Sequence, residues 1–215
     1  MNRWVQGPIR TAAIWGTIIP DNQTLRKTVR HQRRTLDQAV QRAASSAVTR
    51  NVSRIFNFLK ASKIAFYIAS DGEIDPLPLC HFAHRLGKKC YLPRVVSDSN
   101  SLTFERYIPG HTVLIKNQYG IAEPKRNPRD AIAPWKLDIV ITPLVAFDRA
   151  GNRLGMGKGY YDRTFSTKQH GWRKPKLVGL AFSLQEATFI HHAWDVPLDM
   201  VVTERDAVTF KKITL

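Results

Sequence analysis

The chain has 215 residues, a length that fits one α/β domain, and its 43% hydrophobic and 23% charged residues exclude a disordered or fibrous protein. Thirty-three Lys and Arg against seventeen Asp and Glu leave a formal charge of +16 at pH 7. That surplus asks for an anionic partner: nucleic acid, a membrane surface or a phosphorylated metabolite.

Along the chain, Thr11–Ile19 follows Arg3 and Arg10 in the manner of a short secretory leader. Pro20-Asp21 interrupts it and no small-x-small cleavage site follows, so residues 1–21 read as a loose N-terminal extension. No stretch approaches the ~20 apolar residues that span a bilayer, and the expected location is the cytoplasm. Between residues 1 and 60, eleven cations face only Asp21 and Asp37. A helix is predicted over Leu25–Leu36, and on it Arg26, Arg30, Arg33 and Arg34 fall along one face. Most charge runs are solvated surface; a basic stripe of this kind can also point at phosphates.

Asp37 caps a second predicted helix, whose Val40, Ala44, Val48, Val52, Ile55 and Leu59 form one apolar stripe. Lys63–Ala69 reads as a buried strand, Ser70–Asp75 as a turn, and Pro76-Leu77 as the start of a helix ending near Leu86-Gly87. Strands follow at Lys89–Val95 and Leu102–Ile108, and residues 109–136, rich in Pro and Gly, read as a long surface loop. Leu137–Thr142 is a strand whose apolar run resumes at Val145–Phe147. A glycine-rich turn, a helix from Tyr160, and strands at Lys176–Phe182 and Val201–Thr203 complete the pattern. Strands alternating with helices imply a three-layer α/β/α fold with a largely parallel sheet, in a single domain over residues 22–215.

The glycine-rich turn carries the chemistry. Gly155, Gly157 and Gly159 alternate, with Arg153 before them and Lys158 among them. Glycine lets backbone N–H groups turn inward around phosphate oxygens, and a helix starting at Tyr160 adds its N-terminal dipole. A P-loop is excluded because Gly159 follows Lys158, and a Rossmann turn because Tyr160 occupies the third glycine position. The competing account is a tight strand–helix connection that uses glycine for geometry alone.

The whole string Asn152–Arg163 (NRLGMGKGYYDR) strongly resembles the 5-formyltetrahydrofolate cyclo-ligase family, also called 5,10-methenyltetrahydrofolate synthetase. The resemblance runs over roughly residues 23–204. It includes Leu25-Arg26 with Arg30, Asp71-Gly72-Glu73-Ile74, Gly120-Ile121 with Glu123-Pro124, Pro143 with Phe147-Asp148, and Trp194–Asp199.

It implies an enzyme that uses ATP and Mg²⁺ to close 5-formyltetrahydrofolate, carrying one or more glutamates, into 5,10-methenyltetrahydrofolate; a monomer is expected. On matching positions it implies that ATP is held by Arg26, Arg30, Arg153, Leu154, Gly155, Met156, Gly157, Lys158, Gly159, Tyr160 and Tyr161. It places Mg²⁺ on Asp162 and Asp195. The folate falls to Ile68, Glu73 and Tyr119 together with residues 156–160, and the catalytic roles to Arg153, Lys158 and Tyr160. Each carries a plainer reading: Asp162 as a helix-start carboxylate, Asp195 as a surface turn, Glu73 as a strand-end turn, Tyr119 and Tyr160 as core tyrosines.

Asn22 departs from the pattern, since many family members carry there a lysine that contacts ATP. Cys80 and Cys90 read as thiols of a reducing compartment, and with His81, His84, His191 and His192 they form no zinc-ligand set. Two other readings remain. The charge, with Trp4, Trp15 and Trp172, fits a nucleic-acid-binding protein, although no recognised nucleic-acid motif is present. A relative that acts on a different formamide would share the fold, and Asn22 is its support.

Overall fold

Asp21 starts the first helix by accepting hydrogen bonds from the N–H groups of Gln23 and Thr24, two of the donors a helix start leaves unpaired. A computed structural model describes residues 21–96, 98–166 and 175–210; the extension over residues 1–20 and Trp172 lie outside the described residues. Helix α1 spans Asn22–Arg34, α2 Gln38–Ser53 and α3 Phe56–Lys60. Asp37 caps α2 through the N–H of Ala39. The long stripe predicted from Val40 to Leu59 is broken: Ile55 is extended, so Ala44, Val48 and Val52 are buried while Val40 and Leu59 are exposed.

Strand β1 (Lys63–Ala65) is followed by α4 (Leu77–Arg85), β2 (Lys89–Val96) and β3 (Ser101–Tyr107). Residues 109–136 are not one loop. They hold β4 (Leu114–Lys116), β5 (Ala122–Pro124) and β6 (Ala131–Ile132). After β7 (Ile139–Thr142), the apolar run Val145–Phe147 leaves the main sheet, and β8 (Ala146–Phe147) forms a hairpin with β9 (Arg153–Leu154). Then come α5 (Tyr160–Phe165), β10 (Lys176–Leu180), β11 (Met200–Val202) and β12 (Ala207–Thr209), the last absent from the sequence reading.

The main sheet has eight strands in the order β12-β11-β10-β7-β1-β2-β3-β6. Its five central strands, β11 to β2, are parallel, and the outer pairings are antiparallel. Side chains alternate between its faces. Ile64, Leu92, Ile141, Val178 and Val202 pack on one face under α2, α3 and α4. Ala65, Tyr91, Val140, Leu177 and Val201 pack on the other with Phe165 of α5 and Phe147 of the hairpin. The expected three-layer fold is therefore present. Helix α1 belongs to neither layer: its Leu25 and Val29 pack on Val145, Ala146, Leu154 and Phe189. No helix among the described residues is long and apolar enough to cross a membrane.

Strand β1 ends at Ala65, well short of the predicted Ala69. Beyond it the chain makes one more bond to the neighbouring strand, Phe66 N–H to the Tyr91 carbonyl (2.9 Å), and then leaves the ladder. The Tyr67 hydroxyl donates to the Ile74 carbonyl (2.6 Å) and closes residues 67–74 into a loop at the carboxyl end of the sheet.

Candidate active site

That loop forms one wall of an open cleft of about 1060 Å³ at the carboxyl ends of β1, β2 and β7, the usual ligand position on an open parallel sheet. A second cavity, of about 60 Å³ at the amino ends of β7, β10 and β11, is far too small for a nucleotide or a folate.

The glycine-rich turn lies in the cleft wall. Gly157 and Gly159 have φ of +92° and +64°, in the region that side chains disfavour. Three guanidinium groups from three elements surround the turn. A Cβ on Gly155 would lie 2.9 Å from Nη1 of Arg153, and one on Gly159 would lie 2.9 Å from Nη1 of Arg163. A Cβ on Gly157 would approach the Arg26 guanidinium at 3.8 Å, and Arg26 Nε donates to the Gly155 carbonyl (2.8 Å). Arg153 is buried, and its Nε has no hydrogen-bond partner among the described residues. Clustered cations beside flexible backbone fit a polyanion. Arg163 was given no role by the sequence, although its place in the string after Asp162 was visible.

Arg153 Nη2 donates to Asp162 Oδ1 (2.7 Å), which also accepts the Val196 N–H (3.1 Å). Asp195 Oδ2 accepts the His192 N–H (2.8 Å). Asp162 and Asp195 line the same cleft, and each keeps a second oxygen without a hydrogen bond among the described residues. Among those residues no three His, Cys, Asp or Glu side chains cluster as a metal cage. A hard cation that takes one or two carboxylates and completes its shell with phosphate and water oxygens fits this pair.

The basic stripe of α1 divides. Only Arg26 reaches the glycine turn; Arg30, Arg33 and Arg34 converge on the Asp71 carboxylate. Arg33 is fully buried, and it also donates to the carbonyls of Asp71 (2.9 Å) and Leu144 (3.0 Å). Arg30, read as an ATP ligand, lines the cleft but spends Nε on Asp71 Oδ2 (2.6 Å). Burial alone would raise the Asp71 pKa, but hydrogen bonds from Arg30, Arg34 and Arg33 outweigh it and hold the group below 3.8. Gly72 follows because α1 passes so close: a Cβ there would sit 3.1 Å from the Arg33 carbonyl oxygen, with φ already +73°.

Glu73 lies deep in the cleft, where burial pushes its carboxyl above 4.5 despite hydrogen bonds from the Ser70 N–H (3.0 Å) and hydroxyl. Ile68 lines the wall beside it. Tyr119 and Tyr160 meet edge to face, 6.2 Å between ring centres, and share a hydrogen bond of 2.7 Å between hydroxyls. That bond, together with burial, raises the Tyr160 pKa above 10. Lys158 Nζ stands over the Tyr119 ring at 5.7 Å. Met156 is exposed, Tyr161 lies under the Arg153 guanidinium at 5.5 Å, and Leu154 packs mainly into the cluster beneath α1. All the residues to which the family resemblance gives a binding or catalytic role thus border one cleft.

Residues 18–204 match the model of the 5-formyltetrahydrofolate cyclo-ligase family. The chain is 39% identical to the 5-formyltetrahydrofolate cyclo-ligase of Haemophilus influenzae over 178 residues, covering 82% of this chain and 94% of that one. It is 38% identical to the enzyme of that name from Escherichia coli K12 over 177 residues, 81% and 96% of the two chains. The fold is similar to the solved 5,10-methenyltetrahydrofolate synthetase of Aquifex aeolicus, with a TM-score of 0.74 and 33% identity over 90% of this chain and 95% of that one. With a match across most of its length and relatives at this identity, the chain belongs to the 5-formyltetrahydrofolate cyclo-ligase family.

Proposed function

We propose that this chain converts 5-formyltetrahydrofolate, with its glutamate tail, into 5,10-methenyltetrahydrofolate at the expense of ATP, with Mg²⁺, in the reducing compartment that suits its two buried free thiols. The observation that carries the reading is one cleft holding a glycine turn ringed by Arg26, Arg153 and Arg163, the carboxylates of Asp162 and Asp195, and a buried Glu73 with an aromatic pair.

A formamide carbonyl is a weak electrophile and its oxygen a poor leaving group. Bound ATP with Mg²⁺ supplies the phosphoryl group that makes the formyl oxygen a phosphate leaving group as N10 attacks the carbon. The residues position the reactants and neutralise charge. Arg26, Arg153, Lys158 and the N–H groups of residues 155–159 hold the polyphosphate, with Arg163 and Arg30 at the cleft edge. Asp162 and Asp195 hold the cation. Tyr160, positioned by its hydroxyl contact with Tyr119, offers a hydroxyl to a developing oxyanion. Glu73 accepts two N–H groups of the amino-pyrimidinone edge, and those bonds offset the desolvation that now raises its pKa. Ile68 and Tyr119 bracket the flat ring.

The test is absorbance of the conjugated methenyl product from purified protein, with each of 5-formyltetrahydrofolate, ATP and Mg²⁺ omitted in turn. Product forms only with all three present, and Asp162→Asn loses roughly 100-fold or more in turnover while staying folded. No product from the wild type overturns the reading. Full activity in Asp162→Asn removes that carboxylate from the cation site.

A further inference from the structure

Trp194 is 70% exposed, unusual for so large an apolar ring, yet it is held in place. Its indole lies flat on His192, 4.5 Å between ring centres and 12° between planes, so one face is covered and the other is open. The turn that carries the stack closes on itself through Asp195, whose N–H donates to the His192 carbonyl (3.0 Å) and whose carboxylate accepts the His192 N–H. It is also tied down on both sides. Upstream, Asn22 Nδ2 donates to the Ile190 carbonyl (2.6 Å) while its Oδ1 accepts the Ile190 N–H (3.2 Å). Downstream, the Val196 N–H donates to Asp162 (3.1 Å). Asn22, the departure from the family's lysine, therefore acts as a backbone clamp, fixing the turn to the helix that carries Arg26.

We propose that the His192–Trp194 stack seats the purine base of the nucleotide, with the base lying on the open face of Trp194. Two flat substrate rings compete for such a platform, and position decides between them. The Tyr119–Tyr160 pair and Glu73 form the folate side of the cleft. The turn of Trp194 is tied instead to Asp162 and to the start of α1, the elements of the phosphate cradle. The flat ring joined to phosphates in that cradle is the purine, which is therefore the ring assigned to the indole. The backing of His192 and the two ties order the indole before binding, which lowers the entropy cost of stacking. This inference rests on the ATP-dependent reading.

Calorimetry with two probes, ADP and inorganic triphosphate, tests it. Trp194→Ala weakens ADP binding about tenfold or more, as loss of base–aromatic stacking does, and leaves inorganic triphosphate unchanged. Trp194→Phe keeps most of the ADP affinity. Wild-type ADP affinity in Trp194→Ala overturns the proposal. So does an equal loss on both probes, or a loss that falls on KM for the folate and spares ADP. A wild-type protein that binds neither probe overturns the ATP-dependent reading itself, and the platform with it.

Discussion

Arg33 shows how a side chain can look like one thing in the sequence and do another in the molecule. Its spacing on α1 makes it one more cation in a basic stripe. Its partner Asp71 lies 38 positions away, beyond any local pattern, and once the two meet the guanidinium is fully buried. A buried charge stripped of its partner is costly, so Asp71→Asn is expected to lower stability by about 3–5 kcal/mol at pH 7. The pH dependence follows from the direction of the shift. Asp71 titrates lower in the folded state than the ordinary 3.8, so its contribution is complete above 3.8 and is lost as pH falls through the folded value. Urea denaturation from pH 7 to pH 3 will show the gap between wild type and Asp71→Asn holding constant and then narrowing below about pH 4. A gap independent of pH would show that the lost stability does not come from the carboxylate's charge. Glu73 works in the opposite sense: burial raises its pKa, so its contribution is present below 4.5 and fades as pH rises above it; the Asp71 charge adds to that rise, so the comparison is made in a Glu73→Gln background, where this group does not titrate. Glu73 and the glycine string were legible because they sit in local motifs. Trp194 lay in a recognised run, but its open face and its backing by His192 exist only once the turn is closed.

At the level of elements, legibility followed length and periodicity. The strands β2, β3 and β7 and the helices α1 and α4 lie close to where pattern and capping put them. Strands of two or three residues, such as β4, β5 and β6, are too short to display alternation and were submerged in a Pro- and Gly-rich stretch. What orders them is tertiary: Glu123 of β5 is buried and accepts the Val95 N–H (3.1 Å) and the Asn117 side-chain amide (3.2 Å). The break between α2 and α3 was hidden for the converse reason, because apolar residues stay in phase across it. Packing between elements also explains Gly179 in the middle of β10. A Cβ there would come within 2.6 Å of Leu144 and 2.9 Å of Leu198. Gly179→Ala is therefore expected to cost about 1–3 kcal/mol by overpacking, seen as a thermal midpoint lower by roughly 3–10 °C. An unchanged midpoint would mean that Leu144 and Leu198 move aside freely.

For the molecule as a whole, the parallel centre of the sheet sets the plan. Its carboxyl ends deliver the loops after β1 and β7 to one side, and α1, the β8–β9 hairpin and α5 close over them, so the glycine turn with its guanidinium groups and the wall of Ile68 and Glu73 border one cleft. The +16 charge is divided accordingly. Arg26, Arg153, Lys158 and Arg163 border the cleft; Arg30, Arg33 and Arg34 are engaged by Asp71; and Arg42, Arg50 and Arg54 are exposed, with no part in the site. Under the proposed function, two anionic reactants account for the first group without recourse to nucleic acid. The central claim is that the cleft joins those reactants through the formyl oxygen. The most direct measurement is the mass of the phosphate released in a single turnover from 5-formyltetrahydrofolate carrying ¹⁸O in its formyl group. Phosphate bearing that label, in step with methenyl product, is the predicted result; unlabelled phosphate would contradict the account.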